Sequence, residues 1–169
     1  MNITLIGMPG VGKSFIGKKL AGKLGYKFVD VDTLMEKETG LSLKGIKDKF
    51  GEEGFIKIEQ EEVLKLVKNK PDKKVISPGG SVIYSDDAMD SLKKVSKIIY
   101  LKDDLNRIKN RLNKEHQSKI VWFGANSFEE LLKKRERLYE KYADFIIEIS
   151  VFDENRIVEE ILKKVGMKR

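Results

Sequence analysis

The sequence predicts an α/β fold, a three-layer sandwich in which a parallel sheet of about five strands lies between helices. Three observations predict it. Short apolar runs alternate with amphipathic stretches from one end of the chain to the other. Those runs are continuous rather than alternating, as in strands buried on both faces. No repeat, low-complexity tract or linker divides the 169 residues, so the whole, 1–169, is read as one domain.

The elements follow in order. Residues 2–6 form the first strand, and a helix runs from Lys13 to Leu24, where Gly25 stops it. Phe28–Asp32 reads as a second strand ending in carboxylates, followed by a helix Thr33–Thr39 ended by Gly40. Ser42 is placed to cap the next segment. Glu52–Lys70 is a helix with Phe55, Ile58, Val63, Leu66 and Val67 facing inward. Lys74–Ser77 is a third strand running into a second glycine turn, Pro78-Gly79-Gly80-Ser81. Helix Asp86–Lys94, strand Ser96–Leu101 and helix Asp104–Leu112 come next, then an irregular stretch, Glu115–Ser127. A long helix opens at Ser127 and reaches about Tyr142, before a fifth strand, Phe145–Val151, and a closing helix, Glu154–Val165.

Composition narrows the chemistry. The chain has no cysteine, which removes disulfides, thiolate metal sites and cysteine nucleophiles together. No apolar run approaches the roughly 20 residues that span a bilayer, and no basic segment precedes the first strand, so a cytoplasmic protein without membrane partners is expected. Net charge is +7, but lysines are interspersed with acids along the helices. That pattern suits a solvated surface around a polyanionic small molecule better than a nucleic-acid platform. The one locally basic run, residues 68–74, reads as a solvated turn.

The chemistry is carried by Gly7-Met-Pro-Gly10-Val11-Gly12-Lys13-Ser14, between a predicted strand and a predicted helix. This is the context a phosphate-binding loop requires, and it places the chain in the P-loop, nucleoside-monophosphate-kinase-like class of α/β folds. Gly10 and Gly12 let the backbone curl so that successive N–H groups face one anion. The helix start adds its positive dipole end. Lys13 reaches the β- and γ-phosphates of ATP, and the Ser14 hydroxyl is a ligand for Mg²⁺. The nucleotide set is therefore Gly7, Gly10, Val11, Gly12, Lys13, Ser14 and Phe15. Asp30 and Asp32, placed by alternation on one face of the second strand near its carboxyl end, supply one carboxylate for Mg²⁺ and one to orient and deprotonate an acceptor hydroxyl. Lys13 and Asp32 are the expected catalytic pair.

These residues resemble the shikimate kinase family. The likeness continues through Gly40-Leu41-Ser42, Phe50-Gly51-Glu52-x-x-Phe55-x-x-x-Glu59, Val75-Ile76-Ser77-x-Gly79-Gly80, Arg135-x-x-Leu138-Tyr139 and Ala143-Asp144. The resemblance implies an ATP-dependent transfer of phosphate to a hydroxyl of a small molecule. It implies Asp30 near Mg²⁺, Asp32 on the receiving hydroxyl, Gly79 and Gly80 lining the acceptor pocket with backbone N–H groups, Arg135 on the acceptor carboxylate and Arg111 on the adenine side. It also implies a lid, residues 113–127.

The chain departs from the family pattern at three places. Ile56, with Lys57 beside it, stands where the family has an arginine for the acceptor carboxylate. Ser81 stands for a third glycine. Residues 113–127 hold no arginine, only Lys114, His116 and Lys119 among basic groups, with Trp122 and Phe123 as candidate covers for the acceptor. An arginine clamp is not replaced by a lysine without loss, so shikimate is expected to be a poor acceptor or not the natural one, with Ile56 suiting a ring face or a less charged acceptor. The alternatives are a kinase of another polyol or hydroxy acid, a nucleoside or nucleotide kinase, and a non-catalytic nucleotide-binding protein. A monomer is expected over an oligomer.

Overall fold

The computed structural model describes residues 1–167. In chain order it has β1 (Asn2–Ile6), α1 (Lys13–Leu24), β2 (Lys27–Asp30), α2 (Val31–Thr39), α3 (Leu43–Lys68), β3 (Lys74–Ser77), α4 (Asp86–Val95), β4 (Ser96–Lys102), α5 (Leu105–Arg111), α6 (Lys114–Ser118), α7 (Phe128–Tyr142), β5 (Phe145–Glu148) and α8 (Glu154–Lys164). Short 3₁₀ turns cover Val82–Tyr84 and Ile149–Val151. All strand pairings are parallel, in the order β2-β3-β1-β4-β5.

The first strand is central because it is wholly apolar or satisfied. Ile3, Leu5 and Ile6 are fully buried. The two polar residues of the strand find partners: Thr4 Oγ1 and Ser96 Oγ bond at 2.7 Å, and the Asn2 amide spans the lower rim to Pro71 O, Val95 O and the Lys74 N–H. Chain direction across the sheet reverses at β2. Right-handed crossovers therefore put α1 on one face and α3 and α4 on the other. α8 packs on α1, and α2 and α4 pack on α3. Since β1 lies between β3 and β4, the loop after it sits at the middle of the carboxyl edge, where α/β sheets bind ligands.

Most boundaries shift by a residue or two from the sequence reading, and four differences have a physical reason. α2 starts at Val31, two residues early, because the Asp30 carboxylate accepts the Asp32 N–H at 3.1 Å and caps the helix. Ser42 does cap, but the helix it opens, from Leu43, continues into the expected Glu52 helix across a break at Gly51, whose φ of 72° and ψ of 179° suit glycine alone. A short helix, Lys114–Ser118, lies in the stretch expected to be irregular, fixed by reciprocal bonds between Asn113 and His116. β5 ends at Glu148 and gives way to a 3₁₀ turn.

Candidate active site

The loop after β1 ends at Gly12, which caps α1 with φ 99°. Gly10, also at positive φ, lies so close to α5 and its exit that an added Cβ would sit 2.7 Å from Leu112 Cδ2. Lys13 opens α1 and is buried. Its Nζ donates to Gly7 O at 2.9 Å and Met8 O at 3.1 Å. Burial pulls its pKa down to about 8, with the Asp32 charge opposing. The Ser14 hydroxyl donates to Asp30 Oδ2 at 2.9 Å. Val11 turns its N–H back to Met8 O and its side chain into the core.

Asp30 and Asp32 come together, though not by strand alternation. Asp30 is the last residue of β2 and Asp32 lies in the first turn of α2. Asp32 Oδ1 is buried without a hydrogen-bond partner among the described residues. Burial first, and the Asp30 charge second, raise its pKa to about 6. A carboxylate with a free oxygen and a pKa near neutrality is suited to accept a proton.

On the other side of the cavity stands the glycine turn after β3. Beneath it lies Glu59 of α3, fully buried, whose Oε2 accepts from Ser81 Oγ at 2.8 Å. Burial and the Asp32 charge raise the Glu59 pKa to about 7. The turn is crowded from four directions. A Cβ on Gly79 would fall 2.6 Å from Glu59 Oε1 and 3.1 Å from Asp32 Oδ1. One on Gly80 would fall 2.8 Å from Pro9 Cδ and 2.9 Å from Arg135 Nη1. Tyr139 donates its hydroxyl to Gly80 O at 2.6 Å.

Arg135, on α7, is 0% exposed. Its Nη2 donates to Val121 O at 2.5 Å and its Nε to the Tyr84 hydroxyl at 3.3 Å. Its Nη1 has no partner among the described residues. A buried guanidinium with one unpaired face is costly unless an anion completes it.

These groups share one cavity of about 400 Å³, the size of a small-molecule site. Gly10, Gly12, Lys13, Ser14, Phe15, Asp32, Gly79, Gly80, Arg111 and Arg135 all line it, whereas Gly7, Val11 and Asp30 support it from behind. Arg111 is half exposed at the rim and bonds to Asp103 Oδ2 at 2.7 Å. His116, Lys119, Ile120 and Val121 form the opposite wall.

Several expectations are corrected. Ile56 packs partly buried against the core and does not line the cavity, so it offers no ring face. Lys57 is exposed and also outside. Trp122 and Phe123 pack edge-on against Phe128 and Tyr84 instead of covering the cavity. Three residues given no role by the sequence reading matter here. Glu59 was legible, since it falls on the apolar stripe Phe55, Glu59, Val63 at helical spacing. Asp103, buried against Arg107 and Arg111, and Lys119, one lysine among many, carried no such signal.

Comparison with known proteins places this arrangement. A family model described as "Shikimate kinase" matches residues 9–166. A shikimate kinase of Thermodesulfovibrio yellowstonii is 41% identical over 165 residues, covering 96% of this chain and 94% of the relative. One from Caldanaerobacter subterraneus is 35% identical over 164 residues, with 96% and 94% covered. Among solved structures, shikimate kinase from Acinetobacter baumannii in complex with shikimate superposes with a TM-score of 0.87 at 28% identity, covering 98% of this chain and 92% of that one. A deoxyadenosine kinase from M. mycoides, at TM-score 0.61 and 21% identity over 98% of each chain, shares the fold.

Proposed function

The chain belongs to the shikimate kinase family, and from that membership we propose that this ATP-dependent phosphotransferase takes shikimate as its acceptor, with the residues above in the following roles. The observation that carries the acceptor assignment is the unpaired Nη1 of buried Arg135, in the same cavity as Asp32 and Lys13. An acceptor with a carboxylate satisfies it. A polyol without one offers Nη1 only a neutral hydroxyl and leaves the buried charge unpaired, a loss of about 1.5–3 kcal/mol. On this reading shikimate is a good acceptor, contrary to the expectation drawn from Ile56. The cationic partner of the carboxylate is Arg135 itself, and the Gly79 and Gly80 backbone closes around the ring.

The loop N–H groups and Lys13 hold the β- and γ-phosphates, Lys13 exchanging its bonds to Gly7 O and Met8 O for phosphate oxygens. Phe15 and Arg111 flank the nucleotide. Asp32 Oδ1 accepts the proton of the acceptor hydroxyl as its oxygen attacks the γ-phosphorus, and the bond to the β–γ bridging oxygen breaks to release ADP. The lid's cation toward the transferring phosphate is Lys119, which lines the cavity and whose charge reaches Asp32. The hydroxyl of Ser14 and the carboxylate of Asp30, 2.9 Å apart, are the oxygen donors that Mg²⁺ favours, and they are the residues that would hold it. When bound, Mg²⁺ neutralises phosphate charge. Among the described residues no helix is long and apolar enough to cross a membrane. The proposed site needs no second copy to complete it, and the reading is of a cytoplasmic monomer whose partners are ATP and the acceptor.

The test is ADP release from Mg-ATP with shikimate, other hydroxy acids, inositols, sugars and nucleosides offered singly. Shikimate should give a KM below about 1 mM and turnover of about 1–100 s⁻¹. Faster turnover of a nucleoside or of a polyol without a carboxylate refutes the assignment.

A further inference from the structure

The wall of the cavity opposite the phosphate loop includes Ile120 and Val121, the start of a strap, residues 120–125, whose backbone is held by side chains at four successive residues. Ile120 O accepts from Lys47 Nζ at 3.0 Å and Val121 O from Arg135 Nη2 at 2.5 Å. The N–H groups of Trp122 and Phe123 then donate to the two oxygens of one carboxylate, Glu52 Oε1 at 2.7 Å and Oε2 at 2.8 Å. Glu52 lies just past the Gly51 break in α3 and does not line the cavity.

Two neighbouring N–H groups converge on a single carboxylate where the backbone curls, at a turn or a helix start. Here Phe123 at φ 47° and Gly124 at φ 74° form the corner of a turn closed by Ala125 N–H to Trp122 O at 3.0 Å. A phenylalanine at positive φ is strained, and such a residue persists only where its surroundings hold it. The Glu52 carboxylate and the Tyr84 ring, its centroid 4.9 Å from that of Phe123 in an edge-on contact, are those surroundings. An acid at the start of a helical segment is also favoured by the helix dipole alone. That account explains neither the paired bonds to the strap nor the strained turn.

We propose that Glu52 is a positioning residue that latches the strap over the acceptor half of the cavity, so that acceptor affinity depends on a carboxylate that never touches acceptor. The connection runs through Arg135, which holds the strap with Nη2 and presents Nη1 to the cavity. A loose strap frees the guanidinium to turn away. The phosphate loop and Arg111 have no bond to the strap, so ATP binding is spared. The kinetic half of the proposal rests on shikimate being the acceptor; the latch itself is read in the resting protein.

The chain has one tryptophan, and it lies in the strap. Glu52→Gln keeps the length of the side chain but turns one acceptor into an N–H₂ facing an N–H. Acrylamide quenching of Trp122 in the unliganded protein should rise about twofold or more, and the KM for shikimate about tenfold, with the Kd for ATP unchanged, because a charge-assisted pair has been lost. Glu53→Gln removes an equal charge from the same exposed helical turn without touching the strap and should move neither readout. If Glu52→Gln fails to fold, Lys47→Met releases Ile120 O and should shift both in the same direction, by less. Quenching in Glu52→Gln equal to that in Glu53→Gln overturns the latch. Raised quenching with an unchanged shikimate KM overturns its control of the acceptor. A wild type that ignores shikimate while the quenching difference persists faults the acceptor assignment and supports the latch.

Discussion

Glu59→Gln should make the protein more stable at alkaline pH and leave it nearly unchanged at acid pH. Glu59 is fully buried, and burial, with the Asp32 charge behind it, raises its pKa from 4.5 to about 7. The folded state therefore keeps a proton that the unfolded chain gives up. The stability this proton confers is fully present below about pH 4.5 and is lost as pH rises through about 7. At 1.36 kcal/mol per pH unit, that interval amounts to about 3 kcal/mol. Glutamine is the neutral form made permanent, and its amide oxygen still accepts from Ser81. Asp32 titrates in both proteins and largely cancels in the comparison. Urea unfolding followed by far-UV circular dichroism gives the difference directly. The variant's advantage over wild type should grow by about 3 kcal/mol between about pH 4 and pH 8. A difference that stays flat across that range would refute a buried, protonated Glu59 beneath the glycine turn.

Other expectations concern the chemistry. Lys13→Ala should abolish phosphoryl transfer in a protein whose circular dichroism is unchanged, and normal turnover would sink its role on the β- and γ-phosphates. Asp32→Asn should lower kcat by about 10²–10⁴-fold with ATP binding retained. In the wild type, kcat/KM should rise with pH through the Asp32 pKa of about 6 as the carboxylate becomes free to take a proton; a pH-independent kcat/KM below 7 would count against it. Lys119→Met should depress kcat by about tenfold or more while the KM for shikimate moves little, and the opposite split would assign the lysine to binding.

The fold was legible because periodicity and punctuation agree in this chain. The α1 and β3 boundaries coincide with the reading, since Gly12, Gly25 and the Ser77-Pro78 junction mark them chemically. The first segment of α3, residues 43–50, is not legible as a helix, since it lies between Ser42 and Gly51, contains Gly45 and is too short to show an apolar stripe. The phosphate loop was legible as a contiguous motif. The acceptor half depends on contacts between residues far apart in sequence, and there the motif-based inference misled. Ile56 was judged by its place in a pattern, yet its side chain points into the core. Ser81 looked like a lost glycine, yet its hydroxyl is the hydrogen-bond partner of Glu59, 22 positions away. Glu52 carries no signal of its own in the sequence, since its partners lie some 70 residues on.

The break at Gly51 bears on how the acceptor pocket can be remodelled. Leu43, before it, and Phe55, after it, both line the cavity, yet no continuous helical ladder joins them. The first segment carries Lys47 to the strap, and the second carries Glu59 to the glycine turn. The pocket thus has two separately mounted panels meeting at one swivel that no L-residue occupies without strain. Repacking residues 43–50 for a bulkier acceptor need not disturb the Glu59 shelf, whereas any replacement of Gly51 moves both panels at once. A redesign of acceptor preference therefore has an order: the swivel is left alone, the first panel is varied with Lys47 and buried Ile46 kept, and the second is changed only with Glu52 kept and together with Ser81.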